Sequence, residues 1–153
     1  MSAWDEYKKT MIAPPSLWGA AKQDDVPQLE ALLTGGAPLE ALDARGYSPL
    51  MHAAYAGHAR AVTFLLARGA DPNSRDGAGN SVLMGASFKG HLALVEQLLD
   101  AGADPAATND AGLSALAFAR MFGRSDVAAL LEARAPHVAE APTRPAAPPA
   151  AVR

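Results

Sequence analysis

The chain contains no cysteine, so disulfide frameworks, thiolate metal sites and cysteine nucleophiles are excluded together. A reducing compartment fits that absence. Aromatic residues are scarce at 6%, yet half of the 153 residues are hydrophobic and much of that share is alanine. A β-sandwich core draws on Val, Ile, Thr and aromatics, whereas alanine suits closely packed helices. An excess of positive charge is also missing. Thirteen Lys and Arg against sixteen Asp and Glu leave a formal net charge of -3, which provides no overall field for a nucleic acid or an anionic bilayer. No window approaches the roughly 18 to 20 apolar residues of a spanning helix. The first nine residues, Met1 to Lys9, carry charge where a signal peptide needs an apolar stretch. These absences predict an all-α, cytoplasmic protein with no nucleic-acid or membrane partner. The length predicts one domain, enough to bury roughly two-thirds of the unfolded chain's surface.

What the sequence has in abundance is self-similarity, which is sought before secondary structure because a missed period misassigns the fold. Gly46, Gly79 and Gly112 are 33 apart, as are Leu50, Leu83 and Leu116, and Gly57, Gly90 and Gly123. Ala53, Ala86 and Ala119 keep the spacing, and His58 recurs as His91. Val62, Leu65, Leu66, Gly69, Ala70, Asp71 and Pro72 return as Val95, Leu98, Leu99, Gly102, Ala103, Asp104 and Pro105. One period back, Leu17, Ala20, Ala21, Leu29, Leu32, Leu33, Gly36 and Ala37 fall on the same slots and mark a degenerate first repeat. Four repeats are placed at about 13–42, 43–75, 76–108 and 109–136.

The run from Asp43 to His58, closing with Leu65-Leu66-Ala-Arg-Gly-Ala-Asp-Pro-Asn73, resembles the ankyrin repeat, and the resemblance covers about residues 13–136. Within the family the chain looks like small stand-alone bacterial ankyrin proteins, some of which accompany stress enzymes such as catalases. The resemblance implies an L-shaped unit of a β-turn and two antiparallel helices, stacked into a curved solenoid that recognises another protein. The chain departs from the family's Thr-Pro-Leu-His pattern: the histidine slot holds Trp18, Met51, Met84 and Ala117, and His52 sits one residue later, where the other repeats have Gly19, Gly85 and Phe118. The usual histidine network is therefore absent, and packing between repeats is expected to be locally irregular.

Each repeat position has a separable physical reason. Ser48 before Pro49 reads as an N-cap and first helical residue, since the hydroxyl accepts an orphan amide and proline lacks the amide left unpaired there; Ser81 and Ser114 share the slot. Gly57, Gly90 and Gly123 end the first helix where φ turns positive. Val62, Leu65 and Leu66 stand at i, i+3 and i+4, one helical face, and Val95, Leu98 and Leu99 copy it, which makes that face core. Asp24 replaces glycine in repeat 1 and Ala135-Pro136 replaces Gly-Ala in repeat 4, as end repeats with one solvent-facing side allow.

Trp4, Tyr7, Met11 and Ile12 follow helical spacing before Pro14-Pro15, so residues 1–12 read as an amphipathic segment capping the first repeat. Residues 137–153 are Ala/Pro-rich, with Pro142, Pro145, Pro148 and Pro149, and are expected to be disordered or extended.

Four histidines and many carboxylates raise the alternative of an enzyme or a metal-dependent protein using His52 and His58. Their placement argues against it. His58 and His91 lie in a repeated Gly-His turn, one repeat spacing does not converge two side chains, and tight metal sites need three or four placed ligands. His137 begins the tail. No Gly-x-Ser-x-Gly elbow, phosphate-binding Gly-x-x-x-x-Gly-Lys loop or His-Glu-x-x-His helix is present. No catalytic residue, metal or cofactor is assigned.

The resemblance implies contacts from the β-turn tips and from inner-helix residues just before the helix-ending glycine. Those slots hold Arg45, Tyr47 and Tyr55 in repeat 2, Asn80, Phe88 and Lys89 in repeat 3, and Asp110, Leu113, Met121 and Phe122 in repeat 4. Lys22 and Gln23 are the counterparts in repeat 1. Tyr55, Phe88, Met121 and Phe122 read as a hydrophobic stripe on the concave face, with Arg45, Lys89 and Asp110 as a polar rim. The competing reading folds some of these side chains over neighbouring repeats as extra core. The expected function is a non-catalytic interaction module, monomeric without its partner, acting as regulator, inhibitor or accessory chaperone of an enzyme. A scaffold using the tail as a second attachment site is the further alternative.

Overall fold

A computed structural model of the chain describes residues 16–134, so the amphipathic segment at 1–12 and the tail at 137–153 lie outside the described residues. The described residues form eight helices and no strand: α1 Leu17–Lys22, α2 Val26–Thr34, α3 Pro49–Ala56, α4 Ala59–Ala67, α5 Val82–Lys89, α6 Leu92–Asp100, α7 Ala115–Met121 and α8 Ser125–Arg134. Isolated bridges Arg75–Ser81 and Thr108–Ser114 mark where the turns between pairs approach the next helix. This is an all-α solenoid of four helix pairs.

The inner helices α1, α3, α5 and α7 stack closely on one another, whereas the outer helices α2, α4, α6 and α8 meet less extensively, so the stack curves with the inner row on its concave side. Alanine makes the close inner approach possible. Ala20, Ala21, Ala53, Ala54, Ala86 and Ala119 are fully buried, and between them stand Leu50, Met51, Leu83 and Met84, each at most 1% exposed. Methionine in the histidine slot therefore fills the layer with a flexible apolar side chain. Trp18 in the same slot donates its indole N–H to the Ala41 carbonyl at 2.8 Å. Outer helices contribute Leu29, Val62, Leu65, Leu94, Val95, Leu98, Val127 and Leu131 to the same core, while Leu66 is only half-buried.

Every inner helix begins on a serine cap. Ser16, Ser48, Ser81 and Ser114 accept the amide three residues on, at 3.0 to 3.2 Å. The exits differ between repeats. Gly57 and Gly90 cap α3 and α5 with φ of 82° and 81°, whereas Asp24 takes φ 56° at the equivalent place after α1. Its carboxylate repays that conformation by accepting the Ala61 amide of the next repeat at 2.9 Å.

Candidate functional site

Two rows of residues from successive repeats make the concave face: the β-turn tips and the ends of the inner helices. Each tip is closed by one side chain, Asp43, Asp76 or Asn109, whose Oδ1 accepts the amides two and four residues on at 2.9 to 3.0 Å. Neighbouring tips are then joined through backbone, Gly77 N–H to the Arg45 carbonyl at 3.2 Å and Asp110 N–H to the Ala78 carbonyl at 3.1 Å. Asn109 donates to Asn80 and Asn80 to Asp76, at 2.8 and 3.1 Å. Arg45, Tyr47, Asn80, Asp110 and Leu113 are thereby carried on one continuous, hydrogen-bonded edge.

The second oxygen of Asp43 accepts the His52 Nε2–H at 2.8 Å, tying the repeat 2 tip to α3. Burial acts to raise the Asp43 carboxyl, but the Tyr47 amide, the His52 ring and the Arg45 amide outweigh it and hold the group below the ordinary carboxylate range. Burial also pushes the His52 ring below its ordinary value, against the pull of Asp43, so the pair is a carboxylate with a neutral imidazole at neutral pH.

At the helix ends the aromatic residues fall into two clusters. The Tyr55 ring abuts Gly85 of the next repeat, where a β-carbon would overlap it, and meets Tyr47 edge-on at 5.4 Å. Burial, helped by Asp76 and Tyr47, pushes the Tyr55 hydroxyl well above its ordinary value. Phe88 meets Phe122 edge-on at 4.5 Å, and Phe118 stacks beyond Phe122 at 6.4 Å. Met121 and Phe122 remain 61% and 46% exposed.

Between the clusters opens a hollow of about 310 Å³. Of the residues singled out in the sequence, Tyr47, Tyr55, Asn80, Phe88 and Lys89 line it, while Arg45, Asp110, Leu113, Met121 and Phe122 do not. The repeat pattern misses Asp76, Met84, Gly85 and Phe118 in its wall. One signal pointed there: a slot that holds histidine in repeat 2 and phenylalanine in repeat 4 is empty of side chain at Gly85. The stripe is thus part surface and part inter-repeat packing, since Tyr55 has gone to the latter.

His58 and His91 act between repeats. His58 donates Nε2–H to the Lys22 carbonyl at 2.8 Å, and the His91 ring rests against Gly57. Arg124, in the same slot, donates to the Phe88 carbonyl at 3.0 Å. No group of three or more His, Asp or Glu placed to hold a metal ion exists among the described residues. No described helix is long and apolar enough to cross a membrane.

A family model for ankyrin repeats, in three copies, matches residues 17–109. No curated protein matches the chain.

Proposed function

The chain belongs to the ankyrin-repeat family, whose repeats are protein-interaction modules, and we propose that it binds one partner protein through its concave face. The observation that carries this reading is the aromatic surface at the end of the inner row. Phe122 and Met121 stay exposed although the fold needs no large apolar group there, and Phe122 packs against Phe88 and Phe118 in the wall of the hollow. Exposed apolar surface on a rigid frame commonly marks an interface, and aromatic anchors dominate interface energies. In this reading the protein is non-catalytic, cytoplasmic and monomeric without its partner. It acts as a regulator, inhibitor or accessory chaperone of an enzyme such as a stress enzyme. The engagement of His52 with Asp43 and of His58 with a carbonyl speaks against the metal-dependent alternative.

The test is partner capture from host lysate by the wild-type chain, by Met121→Glu/Phe122→Glu, and by Glu96→Arg on the exposed side of α6. Tyr55 is left untouched because its ring is part of the inter-repeat packing. A protein held by the wild type and the α6 control and lost by the double variant is expected. Retention of that protein by the double variant at equal helicity sinks the concave-face reading.

A further inference from the structure

We propose that the hollow beside Gly85 is a specificity pocket for one bulky apolar side chain flanked by a carboxylate, presented by an extended acidic segment of the partner. This rests on the concave-face reading above and adds the chemistry of what the face selects.

The shape is set before any partner arrives. Tyr55 is pinned against Gly85 on one side, Phe88 is held edge-on by Phe122 on the other, and buried Met84 forms the floor. The hollow, about 310 Å³, stands at the lower end of the roughly 300–1,000 Å³ range of ligand pockets. That suits a single Leu, Met, Phe or Trp side chain rather than a cofactor. Fixed walls also spare the partner the cost of ordering them.

The charge preference follows from which groups are already engaged. Asp76 lines the hollow, but its Oδ1 accepts the Ala78 and Asn80 amides and its Oδ2 accepts the Asn80 side-chain amide. Asp43 is engaged in the same way by Arg45, Tyr47 and His52. Each carboxylate spends three of its roughly four acceptor sites on its own repeat, which leaves little hydrogen-bonding capacity for a cationic partner. Lys89 is exposed, with its ammonium 5.6 Å from the Phe88 ring centroid, and makes no ion pair among the described residues. Lys22 and Arg45, which flank His52, make none either.

Elsewhere the cations are mostly engaged. Arg68, Arg120 and Arg134 pair with Glu30, Glu132 and Asp100, and Arg75 and Arg124 donate to carbonyls, which leaves Arg60 on the outer row as the other uncommitted cation among the described residues. Among the described residues, three of the four cationic side chains that make neither an ion pair nor a hydrogen bond, Lys22, Arg45 and Lys89, therefore lie on the inner face of repeats 1 to 3, in a chain whose formal net charge is -3. Asp110, exposed on the repeat 4 tip and outside the hollow, gives the face a polarity that orients the acidic part of the segment toward repeats 1 to 3.

The experiment selects random heptapeptides displayed on phage against the full chain, its Lys89→Glu variant and the Glu96→Arg control. Enrichment of an aromatic or long aliphatic residue beside Asp or Glu is expected from the wild type and the control. Lys89→Glu is expected to keep the apolar position and exchange its acidic neighbours for Lys or Arg. A synthetic copy of the wild-type peptide is expected to bind that variant about tenfold more weakly, as like charges across an interface repel. Basic flanks on the wild type, flanks indifferent to Lys89→Glu, or no enrichment at all would each overturn the pocket chemistry. If one of those occurs while Met121→Glu/Phe122→Glu still abolishes partner capture, the pocket is wrong and the face stands; if capture ignores that pair, the face itself fails.

Discussion

The junction between repeats 2 and 3 and the junction between repeats 3 and 4 use the same slots, yet they treat the aromatic residue at the end of the inner helix in opposite ways. At the first, the following repeat offers Gly85 and the half-buried Tyr55 ring packs against it. At the second, the same slot holds Phe118, so Phe88 stands edge-on to Phe122 and aromatic surface stays open to solvent. The residue in that slot of the next repeat thus sets what each ring packs against, while both rings stay half-buried. The hollow lies where the two treatments meet, which is why its walls are aromatic on both sides.

The most severe way to break the comparison is to remove what both junctions share. Leu98 of α6 is fully buried, and Leu98→Asp loses roughly 1.5–3 kcal/mol of apolar burial and adds an unpaired buried charge. Against a total stability of about 5–15 kcal/mol, loss of cooperative unfolding in urea is expected, followed by far-UV circular dichroism. A wild-type midpoint would show that the outer row does not hold the stack.

Gly85→Ala comes next and attacks one junction alone. The added methyl dislodges the Tyr55 ring, at an expected cost of about 1–3 kcal/mol, as overpacking of a filled site does. Its distinctive mark is spectroscopic: the Tyr55 hydroxyl should titrate closer to the ordinary 10.0. An unchanged ultraviolet titration would mean that the glycine does not seat the ring. Ser81→Ala is milder, about 1 kcal/mol for a lost cap. Ser114→Ala should cost less, because Ser81 is buried while Ser114 is half-buried; urea midpoints of the two variants decide it.

The all-α solenoid was legible because its determinants are local and periodic. Serine stands at all four inner entrances, a helix-ending glycine at three of the four exits, and the Val-Leu-Leu face in repeats 2 and 3. The candidate face was legible only as a set of slots. Tyr55 and Phe88 are equivalent by period, and nothing in either residue says what its ring packs against; the difference resides in Gly85 and Phe118, thirty residues further along each time. The hollow was illegible for the same reason, since it is a property of three consecutive repeats. The Asp43–His52 pair was half visible: His52 stood out as misplaced, but its partner belongs to the tip that precedes the helix.

That pair is the third answer to the same slot, at the junction of repeats 1 and 2, and it yields the smallest and most specific prediction. His52 faces Asp43, which favours its charged form, and Lys22 and Arg45, which oppose it; burial is the largest influence and the net effect is a pKa below 6.5. The folded chain therefore takes up this proton less readily than the unfolded one. The associated stability is complete above pH 6.5 and is lost as pH falls through the lower folded value. Asp43, also lowered, acts in a separate window, below its ordinary 3.8. His52→Gln keeps a donor for Asp43 but cannot titrate, so its urea midpoint should fall less steeply than the wild type's on the acid side of pH 6.5 and run parallel to it on the alkaline side. Equal slopes on both sides would place the acid sensitivity in another group and leave His52 as a fixed neutral strut, equivalent in role to Gly85 and Phe118.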